Sequence, residues 1–303
     1  MRTANIRAMI GGTLLLMSIL VPAFAAQPLA GASEQPNSQR ISVQTEGTGT
    51  DVILIPGLAS SRDVWAGLAS DLRASHRIHL VELAGFAGTP AISNPEGKVI
   101  APAVDAIAEY INTQHIKAPV IIGHSLGGEI VLMLGARYPD LVGRLMIVDA
   151  LPFYTLTINP AATSETAVPH ATAMRDWLLS QSAEQFVAFQ NTSIARLART
   201  EAVRPALVAA GINSDRKTVA DAVYELMVTD LRPELGRIRA PIEIVYAYDP
   251  LFGIPAASVE TMYRQAYAAA SDIHFTRIDD SFHFVMLDQP ERFSSAVASF
   301  LNQ

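Results

Sequence analysis

The stretch from 118 to 137 constrains the chain more than any other. Val120, Ile121 and Ile122 form a short β-branched run that stops at Gly123, and Ile130, Val131, Leu134 and Ala136 recur at roughly helical spacing after Gly128. The chain therefore reads strand, tight turn, helix. At the turn stands Gly123-His124-Ser125-Leu126-Gly127, a G-x-S-x-G pattern with a strand before it and a helix after it. So sharp a corner holds its serine in a strained backbone conformation, and glycines two residues to either side leave room for strand and helix to approach. A serine hydroxyl is a poor nucleophile until a base takes its proton. The free N–H groups at the start of the helix favour the negative charge that grows on an attacked carbonyl oxygen. The competing reading of Ser125 is a structural turn residue.

In that setting Gly-His-Ser-Leu-Gly-Gly resembles the nucleophile corner of the α/β-hydrolase family, and the resemblance extends from about Ile41 to Leu301. It implies a mostly parallel central sheet flanked by helices, with an inserted helical cap. The expected division is a signal peptide over 1–25, a flexible lead-in over 26–39, an α/β-hydrolase core from 40–150 and 240–303, and the cap over 151–239.

The 303 residues, half of them hydrophobic, are enough for one large α/β domain with an insertion. The formal charge of −7 gives no basic face for nucleic acid or an anionic membrane. No cysteine is present, so disulfides, a cysteine nucleophile and thiolate metal sites are excluded. Arg2 and Arg7, the apolar run Ala8 to Val21 and the small-x-small Ala23-Phe24-Ala25 read as a secretory leader cut near Ala25. The run falls short of the roughly 20 residues a spanning helix needs, so no stable membrane insertion is expected once the leader is removed. The expected location is periplasmic or extracellular.

Along the chain, Arg40 to Thr45 alternates as an exposed opening strand, and Val52 to Ile55 is a buried strand ending at Pro56-Gly57-Leu58. The family's loop at this position donates one oxyanion-hole amide and usually reads His-Gly; here Pro56 replaces the histidine. The resemblance assigns the two amides to Leu58 and Leu126. A helix carries Trp65, Leu68, Ala69 and Leu72, and the strand Ile78 to Leu83 leads to a turn, Glu82 to Thr89, that resembles another family signature. Leu145 to Val148 is a strand ending in Asp149. From Leu151 to about Arg239 only helical patterns appear. Phe153, Tyr154, His170, Met174, Trp177, Phe186 and Phe189 lie there as candidates for an apolar substrate wall or for packing within the cap. Strands then resume at Pro241 to Tyr248 and Ile273 to Ile278, and a helix closes the chain from about Pro290.

The family's order of serine, acid, histidine is met by Ser125, Asp249 and His283, with Asp149 as the rival acid. His76, His79, His115 and His274 read as solvated, and His124 as pointing away from Ser125. The resemblance implies a serine ester hydrolase acting on a small molecule, an apolar acyl or ester compound, through an acyl-enzyme. Lactone, amide or C–C bond hydrolysis, perhydrolysis, and a hydrolase-like binding protein are the alternatives on the same scaffold. No cofactor or metal is implied, since no H-E-x-x-H, phosphate-loop or dinucleotide pattern occurs.

Overall fold

The computed structural model describes residues 33–93 and 96–302, so the leader expected over 1–25 and the lead-in as far as 32 lie outside the described residues. One eight-stranded sheet organises the rest, in the order β1-β2-β4-β3-β5-β6-β7-β8. Its members are β1 (Ser33–Ser38), β2 (Ile41–Gly47), β3 (Thr50–Ile55), β4 (His76–Leu83), β5 (Val120–His124), β6 (Arg144–Val148), β7 (Ile242–Tyr248) and β8 (Ile273–Asp279). β1 and β2, and β2 and β4, pair antiparallel; every later pairing is parallel.

The central strands are apolar on both faces because helices cover both. Ile53, Ile55, Ile121, Ile147 and Ile244 point into a core shared with α2 (Ile100–Thr113) and α3 (Leu126–Arg137). Their neighbours Val52, Leu54, Ile122, Met146 and Val245 point into a second core. There α1 (Ala66–Leu72) packs with Trp65, Phe293 and Phe300, the last two from the closing helix Pro290–Leu301.

Two expectations change at the amino-terminal edge. The lead-in was to run flexible to residue 39, but β1 pairs with β2 over Ser33 to Ser38. Such pairing uses main-chain groups and does not need the apolar alternation by which strands are recognised. Ile41 and Val43 of β2 are accordingly buried, and the strand is no exposed edge.

Between β6 and β7 the described residues contain no strand. Four helices fill the interval: α4 (Ser164–Ser180), α5 (Ala183–Leu197), α6 (Arg204–Asn213) and α7 (Arg216–Val228). Thr163 and Ser182 start α4 and α5 with capping boxes, and Asp215 caps α7. The insert is tied to the sheet side by charge. The Glu225 carboxylate on α7 accepts the amides of Val99, Ile100 and Ala101, neutralising the otherwise orphaned donors at the start of α2. No helix among the described residues is long and apolar enough to cross a membrane.

Candidate active site

Ser125 sits between β5 and α3 at φ 53° and ψ −121°, a conformation that side chains other than glycine rarely adopt. Its amide donates to Val148 O at 2.9 Å, fastening the corner to β6. Gly123 and Gly127 are required by contact: a Cβ on the first would run into the Gly127 main chain, and one on the second into the carbonyls of Ile55 and Pro56. The 56–58 loop therefore lies directly against the corner, and a Cβ on Gly57 would come within 3.1 Å of Ser125 Cβ. The Leu58 and Leu126 amides donate to no protein acceptor among the described residues.

His283 follows β8 in the loop before the short helix Val285–Asp288. Its Nδ1 lies 2.7 Å from Asp149 Oδ2. Asp149 ends β6 at φ 48°, and its other oxygen accepts the Ala247 amide and the Tyr263 hydroxyl, each at 2.9 Å. With Asp149 ionised, His283 donates through Nδ1, which leaves the Nε2 lone pair free. Nε2 has no protein partner among the described residues, and His283 lines the same cavity as Ser125.

The expectation that Asp249 would hold the histidine is corrected by this geometry. Asp249 is buried at the end of β7, where Oδ2 accepts Arg199 Nε at 2.8 Å and Oδ1 accepts the Leu251 amide at 2.8 Å. Pro250 begins a single helical turn that needs a capping acceptor, and Asp249 supplies it. Its carboxylate is thereby committed elsewhere.

Nearby contacts join the insert to the histidine's loop. Asp288 accepts the amides of Arg199, Thr200 and Phe282, and the Phe284 amide donates to Leu197 O at 3.1 Å.

Two histidines differ from expectation. His124 does not stand aside: it is wholly buried, its ring centroid is 4.4 Å from that of His283, and its Nε2 donates to His283 O at 3.0 Å. Burial above all, then the neighbouring His283, holds its pKa well below the usual imidazole range, so the ring is neutral. His79 is not solvated either; it lies buried between Tyr110 OH at 2.7 Å and Asp51 Oδ1 at 2.8 Å, far along β4 from the serine. His115, His170 and His274 are exposed, and His76 is half-buried.

The cavity shared by Ser125 and His283 has a volume of about 540 Å³. Sheet-end residues such as Leu58 and Leu151 line it together with Met174, Leu178, Phe189 and Val223 of the insert. Of the seven residues offered as a substrate wall, Tyr154, Met174 and Phe189 line it. Phe153 and Phe186 are buried in packing, His170 is exposed, and Trp177 stacks edge-on against Phe189.

A family model for the alpha/beta hydrolase fold matches residues 51–290. The chain belongs to the α/β-hydrolase family. This hydrolase is 29% identical to a pimeloyl-[acyl-carrier protein] methyl ester esterase of Aromatoleum aromaticum over 259 residues, 80% of its own chain and 94% of the relative. It is 26% identical to the enzyme of the same name from Aeromonas salmonicida, over 86% of its chain and 99% of the relative. Among solved structures it is similar to the enol-lactonase from Burkholderia xenovorans, with a TM-score of 0.72 at 18% identity, covering 89% of its chain and 100% of the other. An esterase from Thermogutta terrifontis superposes with a TM-score of 0.70 at 20% identity over 90% and 98% of the two chains. These two likenesses establish the fold of the hydrolase.

Sequence reasoning missed His124 and Glu129 as parts of the site. Both flank Ser125 in the chain, and only their burial against His283 and the cavity, respectively, distinguishes them from ordinary corner and helix residues.

Proposed function

We propose that this hydrolase cleaves the ester bond of a small molecule, with Ser125 as nucleophile, His283 as base and Asp149 as the acid that orients it. The observation that carries the reading is the 2.7 Å contact of His283 Nδ1 with Asp149, in a cavity that the strained Ser125 also lines.

The chemistry follows from the tautomer. With Nδ1–H held by Asp149, the Nε2 lone pair accepts the Ser125 proton as Oγ bonds to the ester carbon, and the carbonyl electron pair moves onto oxygen. The amides of Leu58 and Leu126 are the donors for that oxyanion. When the oxyanion collapses, the bond to the alkoxide breaks and the alkoxide takes the proton from His283, leaving an acyl-enzyme. Water repeats the sequence: His283 takes its proton, the acid is released, and Ser125 regains its hydrogen.

The relatives named methyl ester esterases support an ester with a small alcohol portion. The apolar lining contributed by Leu178, Phe189 and Val223 supports an apolar acyl group. The leader pattern around Arg2, Arg7 and Ala23-Phe24-Ala25 supports export, to be checked by fractionation and by sequencing the mature amino terminus, which should begin near residue 26.

The test of the catalytic reading is labelling by a fluorophosphonate probe together with turnover of short-chain p-nitrophenyl esters. Both should be present in the native enzyme and lost in Ser125→Ala. Labelling that persists in Ser125→Ala, or a native protein that turns over none of the esters, would overturn it.

A further inference from the structure

Glu129 stands on α3 one turn beyond Ser125 and lines the same cavity. Its side chain is almost fully buried, and neither carboxyl oxygen has a hydrogen-bond partner among the described residues. Buried polar groups are nearly always paired, because an orphaned one forfeits its bonds to water without replacement. A group left so, facing a cavity, is placed to hydrogen-bond a polar atom of whatever enters that cavity.

The surroundings fix its chemical form. The groups that bear on it are the main-chain amide of Tyr154, the carboxylates of Glu225 and Asp230, and Tyr267. The Tyr154 amide is the nearby donor and favours the ionised form without closing a hydrogen bond of normal geometry, and none of the three side chains meets the carboxyl. Glu225 is committed to the three amides of α2, Asp230 to Arg232, and the Tyr267 hydroxyl to Ala150 O. No cation is among these groups, and two of them are anionic. Burial first, then Glu225, pushes the Glu129 carboxyl well above the usual carboxylate range, which favours its protonated form. In that form it offers one O–H donor and one carbonyl acceptor, both unspent.

The partner with the matching inventory is a hydroxyl, which accepts one hydrogen bond and donates another. An ammonium group would require the ionised carboxylate that the site disfavours. A ligand carboxylate would add charge beside Glu225 and Asp230, and a ketone would leave the Glu129 carbonyl oxygen unpaired. We propose that Glu129 is a specificity residue that pairs with a hydroxyl group of the ester substrate, so that the hydrolase prefers hydroxylated acyl esters over their unsubstituted parents. The proposal rests on the reading of this cavity as the ester site.

The experiment reads binding without turnover. In a Ser125→Ala background, calorimetric titration gives Kd for methyl hexanoate, methyl 3-hydroxyhexanoate and methyl 6-hydroxyhexanoate, with position 129 as Glu, Gln, Leu or Met. With Glu129 present, at least one hydroxy ester should bind about tenfold or more tightly than the parent ester, since a site built around a hydroxyl penalises the ligand that lacks it. Glu129→Gln keeps a donor and an acceptor and should retain most of that ratio. Glu129→Leu and Glu129→Met should bring it close to one, two apolar variants guarding against misfolding of either. A ratio near one with Glu129 present, or one that survives in the apolar variants, overturns the proposal. Failure of the catalytic reading shows separately, as absence of ester turnover by the Ser125 enzyme, while the binding ratio remains readable.

Discussion

The Asp149 carboxylate and the His283 imidazole lie 134 positions apart in sequence and 2.7 Å apart in space. Asp149 is held there from its other side by the Ala247 amide and the Tyr263 hydroxyl, so three donors fix one carboxylate. Tyr263 is itself locked by stacking on Tyr246, with ring centroids 4.6 Å apart. The carboxylate is thus pre-positioned by β7 and by the helix that carries Tyr263, and in the proposed reaction little reorganisation is needed when the imidazole gains charge.

A pair of substitutions separates the two aspartates. Asp149→Asn removes the acceptor that sets the His283 tautomer and should lower kcat by roughly 10³ to 10⁴, with KM little changed. Asp249→Asn should leave kcat within about tenfold, because that carboxylate serves Arg199 and the Leu251 amide. Steady-state kinetics on a p-nitrophenyl ester decides; the opposite ranking would return the role to Asp249.

Replacing His124 with phenylalanine keeps a ring against His283 and removes the donor to its carbonyl. Leaving this part-buried carbonyl unpaired costs up to about 1–3 kcal/mol, which urea unfolding at pH 7.5 should register as lost stability. The cost should shrink in acid. His124 has a folded pKa well below 6.5, so as pH falls through about 6.5 the unfolded chain takes up a proton that the folded protein refuses. The native protein then loses up to about 1.4 kcal/mol per pH unit, a penalty the phenylalanine variant escapes. Parallel stability curves for the two proteins from pH 7.5 to 5.0 would rule this out.

Gly127→Ala tests the corner itself. The added methyl would meet main-chain carbonyls of Ile55 and Pro56, which cannot rotate away as a side chain can. Strand and helix must separate, and overpacking of this kind costs typically about 1–3 kcal/mol. Thermal unfolding should show a clear fall in Tm, and probe labelling should slow even in the fraction that folds, because Leu126 and Leu58 would be displaced together.

What could be read without coordinates was whatever is written locally. Ser125 and its flanking glycines declare themselves in five consecutive residues, and β5 and α3 through the spacing of Val120 to Ala136. Chain order nominates His283 as the base of the proposed site. The choice between Asp149 and Asp249 does not, since each ends a parallel strand and only the course of the β8 loop decides which carboxylate the imidazole meets. The burial of His79 and His124 depends on partners 31 and 159 positions away, which no local pattern encodes. β1 is held by main-chain pairing and advertises itself by no alternation of side chains.

The stitching between residues 197–200 and the histidine's loop has a mechanical meaning. Asp288 grips the amides of Arg199, Thr200 and Phe282 at once, and Leu197 and Phe284 share a hydrogen bond. The helical insert over the cavity and the loop carrying His283 are therefore fastened to a common strut. Under the proposed assignment of His283 as base, a swing of the insert past Leu197 would pull on the segment bearing it, so admitting a ligand and aligning the proton acceptor would be one movement instead of two.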